Sequence, residues 1–335
     1  MANMGELRLG RNHFLNGPSR IIHNRDAIKR KLKTLLLGNS KVCRIYLEQQ
    51  RKIYFCVNIL LMNRLLLYYL RNFPIEIGKK RLSRLLKLNN IASDIVFLNY
   101  MGIKFILNIK EYVMKQIFMF GIYEKPYIKL LTSFPENQIR TIIDIGANIG
   151  NYTLSLKKKY PNSNIYSFEP NSINAERLRK NIELNQFSNI KVNQLGLSDK
   201  AGELKLYFDE KNMGGASLAE KAGNNFEVIK LTTLDDYCLE NKIDQIDILK
   251  IDIEGGEIFC LNGACKILNK TQKGVLQLEI DYSHCKRMGY SYIDLFNFPI
   301  QFGYAPFLIN FMGRLVSIKE LKENFIGNVI YLKGY

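Results

Sequence analysis

Tryptophan is absent from the 335 residues, histidine occurs three times, and the six cysteines form no C-x-x-C pair. Cys43, Cys56, Cys238, Cys260, Cys265 and Cys285 have no histidine cluster beside them, which argues against a zinc site or a disulfide framework. Cys260 and Cys265 read as core fillers, and the overall usage fits a reducing compartment. The missing tryptophan goes with abundant Ile, Asn and Lys and reflects compositional bias rather than function. There is no internal repeat and no low-complexity tract. No apolar core follows the first basic residues, so no secretory signal is expected and the expected location is cytoplasmic. Apolar residues at 47% and charged residues at 24% suit a globular chain with a real core.

Acidic residues are scarce at the front. Residues 1–140 hold 25 Lys and Arg against 8 Asp and Glu, whereas residues 141–335 hold 23 of each. The whole net charge of +17 therefore sits in the first 140 residues. Such a front can be a solvated helical surface, or it can meet an anionic membrane or a phosphorylated carrier; nucleic acid is a weaker option. The most apolar stretch, residues 53–70 (IYFCVNILLMNRLLLYYL), is 18 residues long and contains Asn58, Asn63 and Arg64. A central Arg costs about 2.5–3.5 kcal/mol on an insertion scale, so a buried or dimerising helix is expected before a membrane-surface helix or a span. Residues 79–90 add a second basic helical segment. Residues 1–100 are read as a basic, mainly helical N-terminal extension, and residues 101–335 as the catalytic domain.

From about residue 100 the texture changes. Strands are expected near 141–145, 164–168, 190–195, 246–251, 275–280, 305–310 and 327–332. Helices are expected at 150–160, 171–185, 232–241, 256–268 and 291–302. Strands alternating with helices indicate a doubly wound α/β sheet, mostly parallel. The last two strands lack a crossover helix and are expected to pair antiparallel.

Residues 141–150 read TIIDIGANIG: a strand, a glycine-rich turn and a helix start. Such a turn lets the backbone approach a ligand closely, and the helix N-terminus offers N–H groups to it. The next strand ends in Ser167-Phe168-Glu169-Pro170, and an acid at that tip can accept hydrogen bonds from ribose hydroxyls. The turn is G-x-N-x-G rather than the G-x-G-x-x-G of dinucleotide enzymes. The other reading is a purely structural turn with a solvated acid.

DIGANIGNYTLSL resembles the first motif of the FkbM family of S-adenosylmethionine-dependent methyltransferases. FEPN (168–171), LSD (197–199), GGASL (214–218), LTTLDDY (231–237), IDILKIDIEGGE (246–257) and the lead-in GIYEKPY (121–127) continue the likeness in order over roughly 100–335. The resemblance implies a class I, Rossmann-like fold with a seven-stranded sheet, S-adenosyl-L-methionine as cofactor, and methyl transfer to a hydroxyl. It also implies that Asp144, Gly146, Asn148 and Gly150 hold the methionine and sugar parts of the cofactor. Glu169 would hold the ribose, Asp199 or Ser198 would lie near the adenine, and Asp252 and Glu254 would sit at the mouth of the reaction site.

Methyl transfer to a hydroxyl needs alignment and benefits from a general base. Strand alternation puts Lys250, Asp252 and Glu254 on one side while the chain stays extended. Asp252 or Glu254 is the expected base or acceptor-orienting group, Glu279 a second candidate and His284 a third. These acids could instead bond only the loop, and Glu257 reads as a first-turn helix acid. Asp252, Glu254 and Glu279 could also offer oxygen ligands, but the spacing does not demand a metal and none is expected. The expected acceptor is a hydroxyl on a sugar, glycan or other natural product. A nucleic-acid or protein methyltransferase and a non-catalytic scaffold remain alternatives, although no Asn/Asp-Pro-Pro-aromatic motif of amino-group methylation is present.

Overall fold

The computed structural model describes residues 95–99, 101–209, 212–217 and 225–335, together with Leu65, Tyr68 and Tyr69. The expectations for residues 1–94, including the helices at 53–70 and 79–90, otherwise lie outside the described residues. Among the described residues, no helix is long and apolar enough to cross a membrane.

The chain first forms an antiparallel hairpin, β1 (Ile95–Leu98) with β2 (Lys104–Leu107). The hairpin pairs residues from both sides of residue 100. The compact unit runs from Leu67 to Tyr335. Two helices not expected from the sequence follow, α1 (Tyr112–Phe120) and α2 (Lys125–Leu131), the second with a proline in its first turn.

The α/β core then begins. β3 (Thr141–Ile145), α3 (Asn151–Lys159), β4 (Asn164–Phe168), α4 (Ser172–Leu184) and β5 (Ile190–Asn193) are two successive steps of one parallel sheet. A second sheet interrupts it: β6 (Gly196–Leu197), β7 (Gly202–Asp209), β8 (Asn212–Ser217) and β9 (Asn225–Thr232), in the order β6-β9-β7-β8. The main sheet resumes with α5 (Leu234–Glu240), β10 (Ile248–Ile251), α6 (Glu257–Asn262), α7 (Cys265–Lys270) and β11 (Gly274–Asp281). It closes with α8 (Tyr282–Met288), α9 (Tyr292–Asn297), β12 (Ala305–Ile309), β13 (Leu315–Ser317) and β14 (Ile326–Lys333).

The main sheet has the order β13-β12-β14-β11-β10-β3-β4-β5. It contains eight strands, not the expected seven; the extra one is short β13, folded back on β12 around Gly313. As expected, the strands at the end of the chain, β12 and β14, pair antiparallel, and β14 also runs antiparallel to β11. The helix expected over 256–268 is broken into α6 and α7. A Cβ on Gly263 would stand 2.1 Å from the Ser198 carbonyl oxygen, and the Asp235 carboxylate caps α7 by accepting from Lys266 and Ile267 N–H.

Alternation along each strand sends neighbours to opposite faces. Ile143, Ile145, Leu249, Ile251, Leu276 and Leu278 pack against Leu234, Cys260 and Leu261. Ile142, Ile165, Ile248 and Val275 pack against Ile128, Leu131, Leu156 and Tyr160 on the other face. Cys238, Cys260 and Cys285 are buried as core fillers, whereas Cys265 is partly exposed.

On that second face the apolar layer gives way to a polar row near the strand ends. Register sets Ser167 beside Asp144, Asp144 beside Lys250, and Lys250 beside Gln277. The Lys250 side chain is 3% exposed, yet its Nζ lies 3.7 Å from Asp144 and 3.4 Å from Asp252. It also donates to the carbonyls of Ile145 (3.2 Å) and Gly146 (2.8 Å). Burial acts to depress the ammonium, but Asp252, Asp144, Glu124 and Glu279 outweigh it and raise its pKa.

Removing one member of a buried ion pair leaves the other uncompensated, at about 3–5 kcal/mol. Lys250→Met should therefore lower the unfolding free energy by about that amount in urea titration. Adding Asp144→Asn should recover part of the loss; two losses that simply sum would show that the pair is not coupled.

Candidate active site

The carboxyl ends of β3 and β10 open into a cleft. Its floor is the turn after β3. Gly146 has φ +75°, and a Cβ there would stand 1.8 Å from the Asp252 carbonyl oxygen. Only glycine allows the β3 and β10 turns to approach this closely. Asn148 adopts φ +50° and its backbone N–H donates to Glu169 Oε2 at 2.8 Å. Glu169, at the tip of β4, also accepts from Asn171 N–H (3.1 Å), and burial pushes its carboxyl up to about 7. Gly146, Asn148 and Glu169 all line the cleft.

Asp144 does not line it. It is fully buried: Oδ2 accepts from Thr153 N–H (3.0 Å) and hydroxyl (2.6 Å), while Oδ1 faces Lys250. Its chemistry is to anchor α3 and the lysine beneath the turn. Gly150 is likewise outside the lining; its φ of +97° and the Leu178 side chain over it make it a packing glycine at the start of α3. Ser198 lines an adjoining cavity of about 510 Å³, walled by Phe168, Pro170, Leu197, Leu206, Ile229 and Phe259. Asp199 is exposed and lines neither, its carboxylate accepting from the Ser198 hydroxyl at 3.1 Å.

Asp252, Glu254 and Glu279 also line the cleft. The expected alternation holds from Lys250 to Asp252, and then the chain leaves the extended form: Glu254 takes φ +59° and Gly255 φ +116°. That turn carries the Glu254 carboxylate to His284, with Oε2 3.3 Å from Nε2. Burial first, then Asp252 and Glu257, push Glu254 up to about 8. Glu279 shares a hydrogen bond with Asp252 and is raised further, by burial and by Asp252, Glu254 and Glu257, so it keeps its proton at neutral pH. Burial lowers the His284 pKa. Glu257 clamps the loop, its Oε1 accepting from Ile253 and Gly255 N–H and its Oε2 from the Tyr290 hydroxyl. Glu254, Glu279 and His284 each bring one ligand-type atom within 4.8 Å of the others, a grouping with the dimensions of a cation site that no sequence spacing marked.

A further acid lines the cleft unexpectedly. Glu124, at φ +53° just before α2, accepts from the Tyr152 hydroxyl (2.7 Å) and from Asn328 Nδ2 (2.9 Å). Gln277 ties both donors together, donating to the Tyr152 hydroxyl and to Asn328 Oδ1. One signal pointed there: an acid directly before Lys-Pro, in a front segment with few acids. The second sheet, which supplies Leu204, Leu206, Ile229 and Leu231 to the apolar cavity, was also missed.

The sequence profile of the Methyltransferase FkbM domain matches residues 144–312, half of the chain. The chain belongs to the FkbM methyltransferase family. Methyltransferase sdnD of Sordaria araneosa is 34% identical over 184 residues, covering 46% of this chain and 68% of that protein. The 2-O-methyltransferase NoeI of Sinorhizobium fredii is 24% identical, covering 42% of this chain and 64% of that protein. The hexuronic acid methyltransferase AglP of Haloferax volcanii is 23% identical, covering 46% and 62%. The matches thus span about two thirds of each relative and less than half of this chain. S-adenosylmethionine is the cofactor that goes with this family, and the cradle fits a nucleoside: a glycine turn no Cβ could enter, a buried acid at the second strand tip, and an apolar slot beside it.

Two outcomes follow. Gly146→Ala should abolish binding of S-adenosylhomocysteine in calorimetry, since relieving the 1.8 Å approach must separate the two turns; retained affinity would show that the cleft does not depend on their contact. Glu254 holds a proton in the folded state that the unfolded chain releases from about pH 4.5 upward, so unfolding free energy falls as pH rises toward 8. Thermal melting at about pH 5.5 and about pH 8.5 should show that fall, and Glu254→Gln should reduce it; an unchanged difference would place the titration elsewhere.

Proposed function

We propose that the protein is an S-adenosylmethionine-dependent O-methyltransferase acting on a hydroxyl of a sugar, glycan or similar polyhydroxyl compound. One observation carries the reading: Asp252, Glu254 and Glu279 stand in the same cleft as the nucleoside acid Glu169. Two relatives bear names that fit it, a 2-O-methyltransferase and a hexuronic acid methyltransferase.

When bound, S-adenosylmethionine supplies a methyl group already activated on a sulfonium, so the residues need only align the acceptor and manage one proton. Glu169 holds the ribose hydroxyls, and the cavity beside Ser198 takes the adenine. Asp252, fixed by Lys250 and Glu279, orients the acceptor hydroxyl. Glu254, with a pKa of about 8 and His284 at 3.3 Å, takes the proton; a base works best when its pKa lies near the working pH.

Calorimetry with S-adenosylmethionine and S-adenosylhomocysteine is the first test, followed by transfer of a labelled methyl group to candidate glycosyl acceptors. Label that survives mild alkali is an ether on a hydroxyl; alkali-labile label is a carboxyl ester and would overturn the hydroxyl reading. Glu254→Gln should lower kcat by about 10²–10⁴-fold with cofactor affinity nearly unchanged. If Glu254→Gln is silent and Asp252→Asn carries that loss, the base is Asp252.

A further inference from the structure

The cofactor is a zwitterion at its amino-acid end, so its ammonium needs a carboxylate. The acid expected to meet it from the sequence, Asp144, lies beneath the turn with no exposed surface. The carbonyls of Ile145 and Gly146, at the end of β3, already accept from Lys250 Nζ. Asp252 is paired with Lys250, Glu279 is engaged with Asp252, and Glu254 is turned to His284.

Glu124 differs from all of these. It lines the same cleft as Gly146 and Asp252, and its carboxylate is held by two neutral donors, the Tyr152 hydroxyl and the Asn328 amide. Among the described residues no Lys, Arg or His forms an ion pair with it. Its left-handed backbone is strained for a non-glycine residue, and such strain persists where the surrounding structure requires it. Tyr152 and Asn328 are in turn held by Gln277 on β11, so three elements fix where the carboxylate points. Burial and the nearby Asp252 push its carboxyl up to about 7, so a cation seated beside it would draw it into the ionised form.

We propose that Glu124 is a cofactor-binding residue that receives the α-ammonium of the cofactor's methionine moiety. This rests on the reading of the cleft as the S-adenosylmethionine site. Removal of the charge weakens ligands that carry the ammonium and spares the same nucleoside without it.

The test is calorimetric titration of the full chain with S-adenosylhomocysteine and with methylthioadenosine, which lacks the amino-acid portion. Glu124→Gln should weaken S-adenosylhomocysteine by roughly ten- to a hundred-fold and leave methylthioadenosine within about two-fold. Tyr152→Phe, which keeps the charge and loses one of its supports, should give a smaller loss with the same selectivity. Equal losses for both ligands in Glu124→Gln would make the residue merely structural, and equal affinities in wild type and Glu124→Gln would overturn the proposal. A wild-type protein that binds neither ligand would instead overturn the reading of the cleft.

Discussion

Lys250 is the point on which the site is built. One ammonium, buried in the sheet between β3 and β11, touches two carboxylates and two strand-end carbonyls. Its position is fixed by register: a parallel pairing that sets Lys250 beside Asp144 leaves no choice about which side chains meet. Slipping either strand by one residue would put the charge on the apolar face with Leu249 and Ile251, where it would have no partner. The pairing that makes the sheet therefore also draws the ends of β3 and β10 together. That contact leaves room only for a glycine at 146.

Backbone strain gathers at the same place. Glu124, Asn148 and Glu254 all adopt positive φ and all line the cleft. Asparagine does so at little cost, but a glutamate at each of two positions does not. Both glutamates are turned by this geometry toward the cavity instead of toward solvent. The strain and the burial of carboxylates both oppose folding, and the apolar layers on either side of the sheet must offset them.

The α/β alternation, the glycine turn and Glu169 were legible because each is local: a run of apolar residues, a loop and a strand tip within a few residues of one another. The antiparallel closing strands were legible from the short connection before β14. The second sheet was harder to read, although Gly202–Asp209 and Asn225–Thr232 both carry alternating apolar residues. Their partners lie about twenty residues away, and pairing, not pattern, decides whether such segments become strands. Asp144 is marked by its motif. The sequence does not say that Thr153, one helical turn into α3, would claim its carboxylate. The Glu124 network was out of reach for a similar reason: its four members stand at 124, 152, 277 and 328, on four separate elements.

The protonation pattern of the cleft bears on what it can recognise. Glu279 keeps its proton at neutral pH and Glu254, at about 8, keeps most of its own, while Asp252 stays paired with Lys250. A protonated carboxyl donates one hydrogen bond and still accepts others, whereas an ionised one only accepts. The cleft thus offers donors and acceptors within one small space without the charge that its count of acids suggests. A sugar hydroxyl is itself both donor and acceptor, and a neighbouring pair of hydroxyls needs that mixture. The proposed polyhydroxyl acceptor would draw on that mixture, which burial of the acids creates by holding their protons on.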